Sequence, residues 1–581
     1  MPTAQPAEWI NDVSEELAMA HTVAIAQWVR LSGTEDERKA FDYIAEQLRG
    51  YGFEVVIHEP TCLVSLPLSS SIVVGDEDFP VCITHAFSTS TPDDGVAGEL
   101  VYAGDGSEAA LLAAGAAGKI ALTDGLATPA KAKAATRVGA LAVVSISGDH
   151  LHEMIVSPVW GSPTPETLSQ LPNVPMVSVD TEAGERMLQR LERGRVRARV
   201  RTSVDTGWRP IPVLIADLDT AGRNFVMFSG HVDSWHYGAM DNGTANATMI
   251  EVGRICATHR AELRRGLRLA FWSGHSHARY AGSTWYADSH WFDLHERCVA
   301  HVNVDSTGAI NATTLTDANS MAETYPLARS VIARQTQQEL DYNRFGRAGD
   351  QSFWGIGLPA VFMSLSHQGE HSETSSGLAA VIGGNIARSG GLGWWWHTTE
   401  DTLDKIDPAN LVRDIKVYVE VVGRLATDPV VPLDVRGPVG EIGAALDEIE
   451  PLWSGLPSGG PADACGFTEL REDLGRLHDA AERVMNRAQQ VTDEASAAEL
   501  SDAIVSACKA LMPVNYTVAG EFGHDPALGV TPLPGLRPPK PLVAMSDDEL
   551  WGATHSFRRS VNRTRAALRR ACSVLESAVP N

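Results

Sequence analysis

The chain has 581 residues, more than one domain normally holds, so roughly two to four domains are expected. Hydrophobic residues make up 44%, enough for ordinary buried cores, and 47 basic against 73 acidic side chains leave a formal charge of -26. That balance disfavours nucleic acid and anionic membrane as main partners.

In chain order, Thr34-Glu-Asp-Glu37 reads as a capping box, followed by Phe41, Ile44 and Leu48 at helical spacing. Gly50 and Gly52 stop that helix, and Phe53–Ile57 begins a strand, the opening of an α/β domain. From about residue 60 to 208 short β-like runs alternate with Gly- and Ala-rich turns: Glu99–Ala103, Lys119–Leu122, Leu141–Ser145 and Val174–Val179. This texture predicts an inserted domain that shapes or covers a cleft. Asp149, His150 and His152, close together within it, read as a solvated turn.

The α/β pattern resumes near Ile211, with strands expected at Val213–Ala216, Phe225–Phe228, Leu267–Trp272, Val299–Val304 and Ala360–Met363. Near-continuous apolar strands alternating with helices predict a mostly parallel sheet covered by helices on both faces. Past about residue 436, Leu470, Leu474, Leu477, Ala481, Val484 and Ala488 mark one amphipathic helix. Ser546-x-x-Glu549 caps another that carries Leu550, Phe557, Val561, Leu568 and Leu575. The arginines of that last helix, Arg558 to Arg570, are expected on a solvated or partner-facing side. The start, Met1–Asp12, shows no basic region followed by an apolar core, and no apolar run is long enough to span a bilayer. With seven scattered cysteines and no Cys-x-x-Cys pair, the expectation is a cytoplasmic protein with reduced thiols.

The chemistry gathers where strands end. Ser229–Gly243 follows the Phe225–Phe228 strand and carries His231, Asp233, His236 and Asp241. Trp272 leads into Ser273-Gly-His275-Ser276-His277, His301-Val-Asn-Val ends on Asp305, and Trp394-Trp-Trp precedes His397-Thr-Thr-Glu-Asp401-Thr. Open α/β sheets place ligands in the crevice at the carboxyl ends of their strands, and His with Asp suits zinc-like ions. Asp350, in Arg347-Ala-Gly-Asp350, is expected to position a loop at the cleft. His236, His367 and His371 are candidates for the cleft or substrate pocket, and Trp394 to Trp396 for packing or a pocket wall. Arg279, Arg344 and Arg347 are possible holders of a substrate carboxylate, the plainer reading of each being a surface residue.

With its His-x-Asp-Ser-Trp motif, an Asp ten positions after the His, an Asp after a strand, and His-Thr-x-x-Asp-Thr, the chain resembles the co-catalytic zinc aminopeptidases and glutamate carboxypeptidases, of which the transferrin receptor is a non-catalytic relative. The resemblance covers most of the chain. It implies a catalytic domain at 1–60 and 209–436, an inserted protease-associated-like domain at 61–208, and a helical, dimerisation-like domain at 437–581, hence a homodimer. It implies that His231 and Asp305 hold one metal, that Asp241 bridges two, that His397 serves the second, and that Asp233 supports His231 from behind. The cofactor implied is zinc or another divalent transition metal, one or two ions.

The departure lies at residues 273–279. The family places two adjacent glutamates there, a general base and a metal ligand, and this chain has no carboxylate from Leu269 to Ala287. One alignment puts His275 at the base and Ser276 at the ligand; another puts Ser276 at the base and His277 at the ligand. If the segment is extended, His275 and His277 share a side, and the assignment adopted is His275 as the acid/base and His277 as a ligand. The expected function is metal-dependent hydrolysis of a C–N bond in a peptide or small amide, with no nucleic-acid or membrane partner. The alternatives are a metal-dependent lyase or isomerase acting on a small amino-acid-like or carbonyl substrate, and a non-catalytic binding or scaffold protein.

Overall fold

A computed structural model describes residues 6–369, 392–453, 466–527 and 530–579. Two sheets organise the first two thirds of the chain. The first has six strands in the order Glu54–His58, Val213–Leu218, Gly266–Trp272, Phe225–His231, Cys298–Asn303 and Ala360–Val361. Gly266–Trp272, Phe225–His231, Cys298–Asn303 and Ala360–Val361 run parallel, Val213–Leu218 runs against them, and Glu54–His58 pairs antiparallel with Val213–Leu218 at the edge.

Alternation along the central strand explains why it is apolar throughout. Val226 and Phe228 face one core with Leu214, Leu269 and Phe271, against the helices Ala245–Thr258 and Pro408–Thr427. Phe225 and Met227 face the other with Ala270, Trp272 and Tyr286, beside the helices Ala281–Ser289 and Trp291–Arg297. Helices on both faces leave the strand ends as the place where polar side chains meet an opening.

The second sheet has eight strands in the order Glu77–Phe79, Thr61–Val74, Arg197–Pro210, Val96–Tyr102, Ile120–Asp124, Ala142–Ile146, Met176–Val179 and Cys82–Thr84. Thr61–Val74 and Arg197–Pro210, 14 residues each, pair antiparallel from Thr61 opposite Pro210 to Val74 opposite Ala198. They form a two-stranded stem that leaves the first sheet and returns to it, closed at its base by the Ile211 amide donating to Pro60 O at 3.0 Å. Neither strand stands out in the sequence. Pro67 and Ser69–Ser71 interrupt one, and Arg197, Arg199 and Arg201 alternate along the other, so both lack the continuous apolar run that marks a buried strand.

Four long helices follow: Arg436–Ile449, Phe467–Ala488, Glu494–Tyr516 and Asp547–Ala578. Only Phe467–Ala488 and Asp547–Ala578 correspond to the two helices read from the sequence. At Ser546 both arms of the capping box form. At Thr34 only one does: its hydroxyl takes the Glu37 amide, while the Glu37 carboxylate turns back to the Gly33 amide at 2.7 Å. Two of the arginines of the last helix, the half-buried Arg565 and the exposed Arg569, pair with the buried Asp473. No described helix is long and apolar enough to cross a membrane, and the six described cysteines are unpaired.

Candidate functional site

His231 is the last residue of the central strand, so its ring emerges at the carboxyl edge of the sheet. The loop that follows turns sharply at Gly238, whose φ is +52°. A Cβ there would lie 2.2 Å from Asp241 O, so the turn admits only glycine. It brings Asp241 back to His231, with Oδ1 at 3.1 Å from His231 Nε2. The other oxygen, Oδ2, is 3.0 Å from His397 Nε2, and Asp305 Oδ2 approaches His231 Nε2 at 3.7 Å. Four of the five side chains expected as ligands, drawn from three stretches, therefore meet, and Asp241 stands between the two imidazoles.

The supports of this group come from far along the chain. The Met240 and Asp241 amides both donate to the Asp401 carboxylate, at 2.9 Å each. Burial lifts that carboxyl to about 7, with these amides opposing the rise. His397 Nδ1 donates to Glu153 O at 2.6 Å, and His152 Nδ1 to Trp396 O at 2.5 Å. Residues 152–153 of the insert thus clasp the His397 loop. His152 is buried, and its reading as part of a solvated turn is corrected. Asp233 supports His231 through its main chain: Nδ1 of the ring donates to Asp233 O at 2.8 Å, while the carboxylate stands 3.8 Å away. That carboxylate instead receives the His275 amide at 3.2 Å, the Ser276 amide at 2.8 Å and the Ser32 hydroxyl at 2.7 Å.

The sequence drew no attention to Arg30, which is fully buried. Its guanidinium donates to Val232 O and Tyr237 O at 2.7 Å, Gly238 O at 2.9 Å, and Ile25 O and Trp28 O at 3.1 Å. It ties the metal-type loop to the first helices. Arg30→Met leaves those carbonyls unsatisfied in the interior and is expected to cost on the order of 3–5 kcal/mol, read as a lower midpoint in urea unfolding.

The segment after Trp272 is not extended. Past Gly274, whose φ is +77°, the chain bends at His275 and turns through residues 276–279, so His275 and His277 part company. His275 lines the cavity with Asp241, Tyr280, Asp305 and His397, and its Nδ1 donates to Asp350 Oδ2 at 2.6 Å. Asp350 is held in turn by the Ser283 hydroxyl at 2.7 Å on its other oxygen. Burial opposes its ionisation, and the charge and hydrogen bond of His275 more than offset that, holding its pKa below the usual carboxylate value. Asp350 thus does more than position a loop: it returns a carboxylate to a segment that has none. His277, expected as a ligand, is turned away. Its Nδ1 lies 3.1 Å from Ser32 Oγ, its ring sits 4.3 Å from that of Trp235, and burial depresses it to about 4.

The remaining candidates fall as follows. Trp396 walls the cavity and stacks on His397 with ring centres 3.4 Å apart. His236 is half-buried outside the cavity wall, and His367 is buried beside Ser364. His371 lies outside the described residues. Arg344 pairs with Glu441, whereas Arg279 and Arg347 line the cavity and are no surface residues.

The donor set suits a zinc-type ion. His231, His275 and Asp305 present one ligand atom each, all within 4.8 Å of one another. His231 Nε2 and Asp241 Oδ1 are both buried without a hydrogen-bond partner among the described residues. Burial disfavours a charged His231, yet Asp241 and Asp305 hold its pKa well above the ordinary value. The pair of carboxylates that holds a proton there suits a cation equally. His275, however, lies face to face with His231, with ring centres 3.7 Å apart and planes 16° apart. Two imidazoles converging tetrahedrally on one ion, with metal–nitrogen bonds of about 2.0–2.1 Å, hold their ring centres roughly 5 Å apart. His275 therefore stands beside the ligand group rather than within it.

Glu153 carries a separate consequence. Burial raises its carboxyl to about 8, and one oxygen has no partner among the described residues. A carboxyl whose folded pKa lies above its unfolded value stabilises fully below about pH 4.3 and loses that contribution as pH rises through its folded pKa. Glu153→Gln is therefore expected to unfold at higher urea than the parent at about pH 9, with the advantage gone at about pH 4.

Residues 214–422 match peptidase family M28. The mouse (Mus musculus) aminopeptidase NAALADL1 is 31% identical over 118 residues, 20% of this chain and 15% of that protein, so the matched stretch spans a small part of its curated relative. Among solved structures, an aminopeptidase from Aneurinibacillus sp. strain AM-1 superposes with a TM-score of 0.54 at 21% identity, covering 72% of this chain and 96% of that one. A peptidase M28 precursor from Shewanella amazonensis SB2B gives 0.55 at 19% identity, covering 73% and 96%. The strand order and these likenesses agree on the fold, and within it residues 214–422 form the part of the chain that matches peptidase family M28.

Proposed function

We propose that the chain is a metal-dependent hydrolase of a peptide or small-amide C–N bond, in which His275, oriented by Asp350, takes the place of a glutamate base. His231, Asp241 and Asp305 would hold one zinc-type ion, with His397 closing the site through Asp241. An ion bound there supplies Lewis acidity toward a carbonyl oxygen and acidifies a water. The observation that carries the reading is the 2.6 Å contact between His275 Nδ1 and Asp350, beside the His231–Asp305 pair.

That contact fixes the tautomer. With Nδ1–H committed to Asp350, Nε2 carries the lone pair and is the ring atom that can take and return a proton. His275 takes a proton from water as the water oxygen bonds to the amide carbon. It returns that proton to the amide nitrogen as the C–N bond breaks, leaving a carboxylic acid and an amine, and transfer of the acid's proton to the amine gives a carboxylate and an ammonium. Tyr280, edge-on to His275 with ring centres 4.8 Å apart, and Trp396 limit the space beside the reacting atoms.

The test is a panel of dipeptides and N-acyl amino acids incubated with zinc-loaded protein in ¹⁸O-labelled water. Hydrolysis places label in the new carboxylate. An alkene product without label marks elimination instead, and no turnover of any panel member contradicts an enzyme of this class.

A further inference from the structure

The Asp350 carboxylate that orients His275 is itself the end of a longer run of contacts. Behind its Oδ1 stand three hydroxyls and an indole, all buried: Ser283, Ser352, Thr284 and Trp160. Ser283 Oγ lies 2.7 Å from Asp350 Oδ1 and 2.8 Å from Ser352 Oγ, and Trp160 Nε1 lies 2.9 Å from Ser352 Oγ. These groups come from three places. Ser283 is on the helix Ala281–Ser289, Asp350 and Ser352 precede the strand Ala360–Val361, and Trp160 is carried by the insert.

The supply of protons gives the run one direction. An indole N–H can only donate, so Ser352 Oγ accepts from Trp160. The Thr284 hydroxyl donates to Tyr280 O at 2.7 Å, and its oxygen is a distant acceptor for Ser352 at 3.3 Å. Ser352 therefore gives its single proton to Ser283 Oγ at 2.8 Å. Ser283 has two acceptors in reach, Asp350 Oδ1 at 2.7 Å and Tyr280 O at 3.1 Å, and the nearer, charged one takes its proton. On the far side of the same carboxylate, Oδ2 receives His275 Nδ1–H at 2.6 Å. Hydrogen bonds aligned in this way polarise one another, so each link strengthens the next.

The indole at the head of the run is held on both faces. Arg347 lies over it at 3.8 Å, and the Tyr280 ring packs with centres 4.3 Å apart. Its neighbours fasten the insert to the segment that follows His277: Ser157 O accepts Arg279 Nε at 3.0 Å, and the Gly161 amide donates to Arg279 O at 2.7 Å.

We propose that Trp160 is a positioning residue for the His275 base, and that the Trp160–Ser352–Ser283 relay ties the orientation of that base to the seating of the insert. The relay transfers no proton. It holds the rotation of the Asp350 carboxylate that meets Nδ1, so the base is complete only with residues 157–161 docked. Its effect on turnover rests on the hydrolase reading; its effect on the His275 hydrogen bond does not.

The experiment is NMR of the whole protein labelled with ¹⁵N-histidine, following the His275 Nδ1–H resonance, which is identified by its loss in His275→Ala. Trp160→Phe keeps an aromatic ring and removes the donor, and Ser283→Ala cuts the run beside the carboxylate. Each is expected to move the resonance, and Trp160→Phe to add no further shift in the Ser283→Ala background, because a cut relay transmits nothing. Absence of the resonance in the parent, a resonance unmoved by either variant, or shifts that add in the double variant, as packing alone would give, overturns the proposal. Should Trp160→Phe fail to fold, Ser352→Ala replaces it in the cycle. With a substrate that is turned over, Ser283→Ala is expected to lower kcat about tenfold with KM unchanged, and to cost less than about twofold in the Asp350→Asn background. A loss carried by KM, or one undiminished in Asp350→Asn, contradicts it. Because the resonance needs no substrate, a failure of hydrolysis and a failure of the relay appear separately.

Discussion

Asp241→Ala is expected to remove the ion and, with it, essentially all activity. Among the described residues Asp241 is the one carboxylate within hydrogen-bonding distance of two imidazoles, at 3.1 Å from His231 and 3.0 Å from His397. Burial pushes its carboxyl up, and those two rings nevertheless hold it well below the usual pKa. Removing it leaves two buried imidazoles with no shared counter-charge. The affinity loss should exceed the roughly 10–100-fold that follows when a residue merely supporting a ligand is changed. Zinc titration of the stripped protein measures it, and parent-like affinity in the variant would remove Asp241 from the ligands.

His275→Ala is expected to lower kcat by about 10²–10⁴ while the bound metal stays at the parent level. The two readouts together separate a base from a ligand, since loss of a ligand lowers metal content and loss of a base does not. Asp350→Asn is expected to reduce kcat by less, because the amide still meets Nδ1 but no longer stabilises the charged ring. If His275→Ala loses its metal, His275 belongs among the ligands and the stacking of its ring on His231 has been misjudged.

Much of the site could be read from the chain because its parts are local signals. His231, Asp305 and His397 each close or follow a recognisable apolar run, and Asp241 follows His231 at a fixed short distance. The sheet then does the assembly, since parallel strands present their carboxyl ends along one edge. The choice between His275 and His277 was not legible in the same way. It depends on residues 275–279 bending and turning where an extended run was expected, a local geometry that no spacing in the sequence announces. Asp350 reaches His275 across 75 positions, and Arg30 reaches Val232 across 202. Contacts of that span carry no periodicity, so they emerge only with the fold. The same holds for residues 152–153, whose polar composition suggests a turn in water and whose burial comes from the distant His397 loop.

The most direct measurement is the metal content of protein purified without chelator, by elemental analysis, for the parent, His231→Ala and His275→Ala. About one zinc-type ion per chain is expected in the parent and in His275→Ala, and little in His231→Ala. A parent free of transition metal, or a His231→Ala variant that keeps the parent's content, contradicts the metal centre.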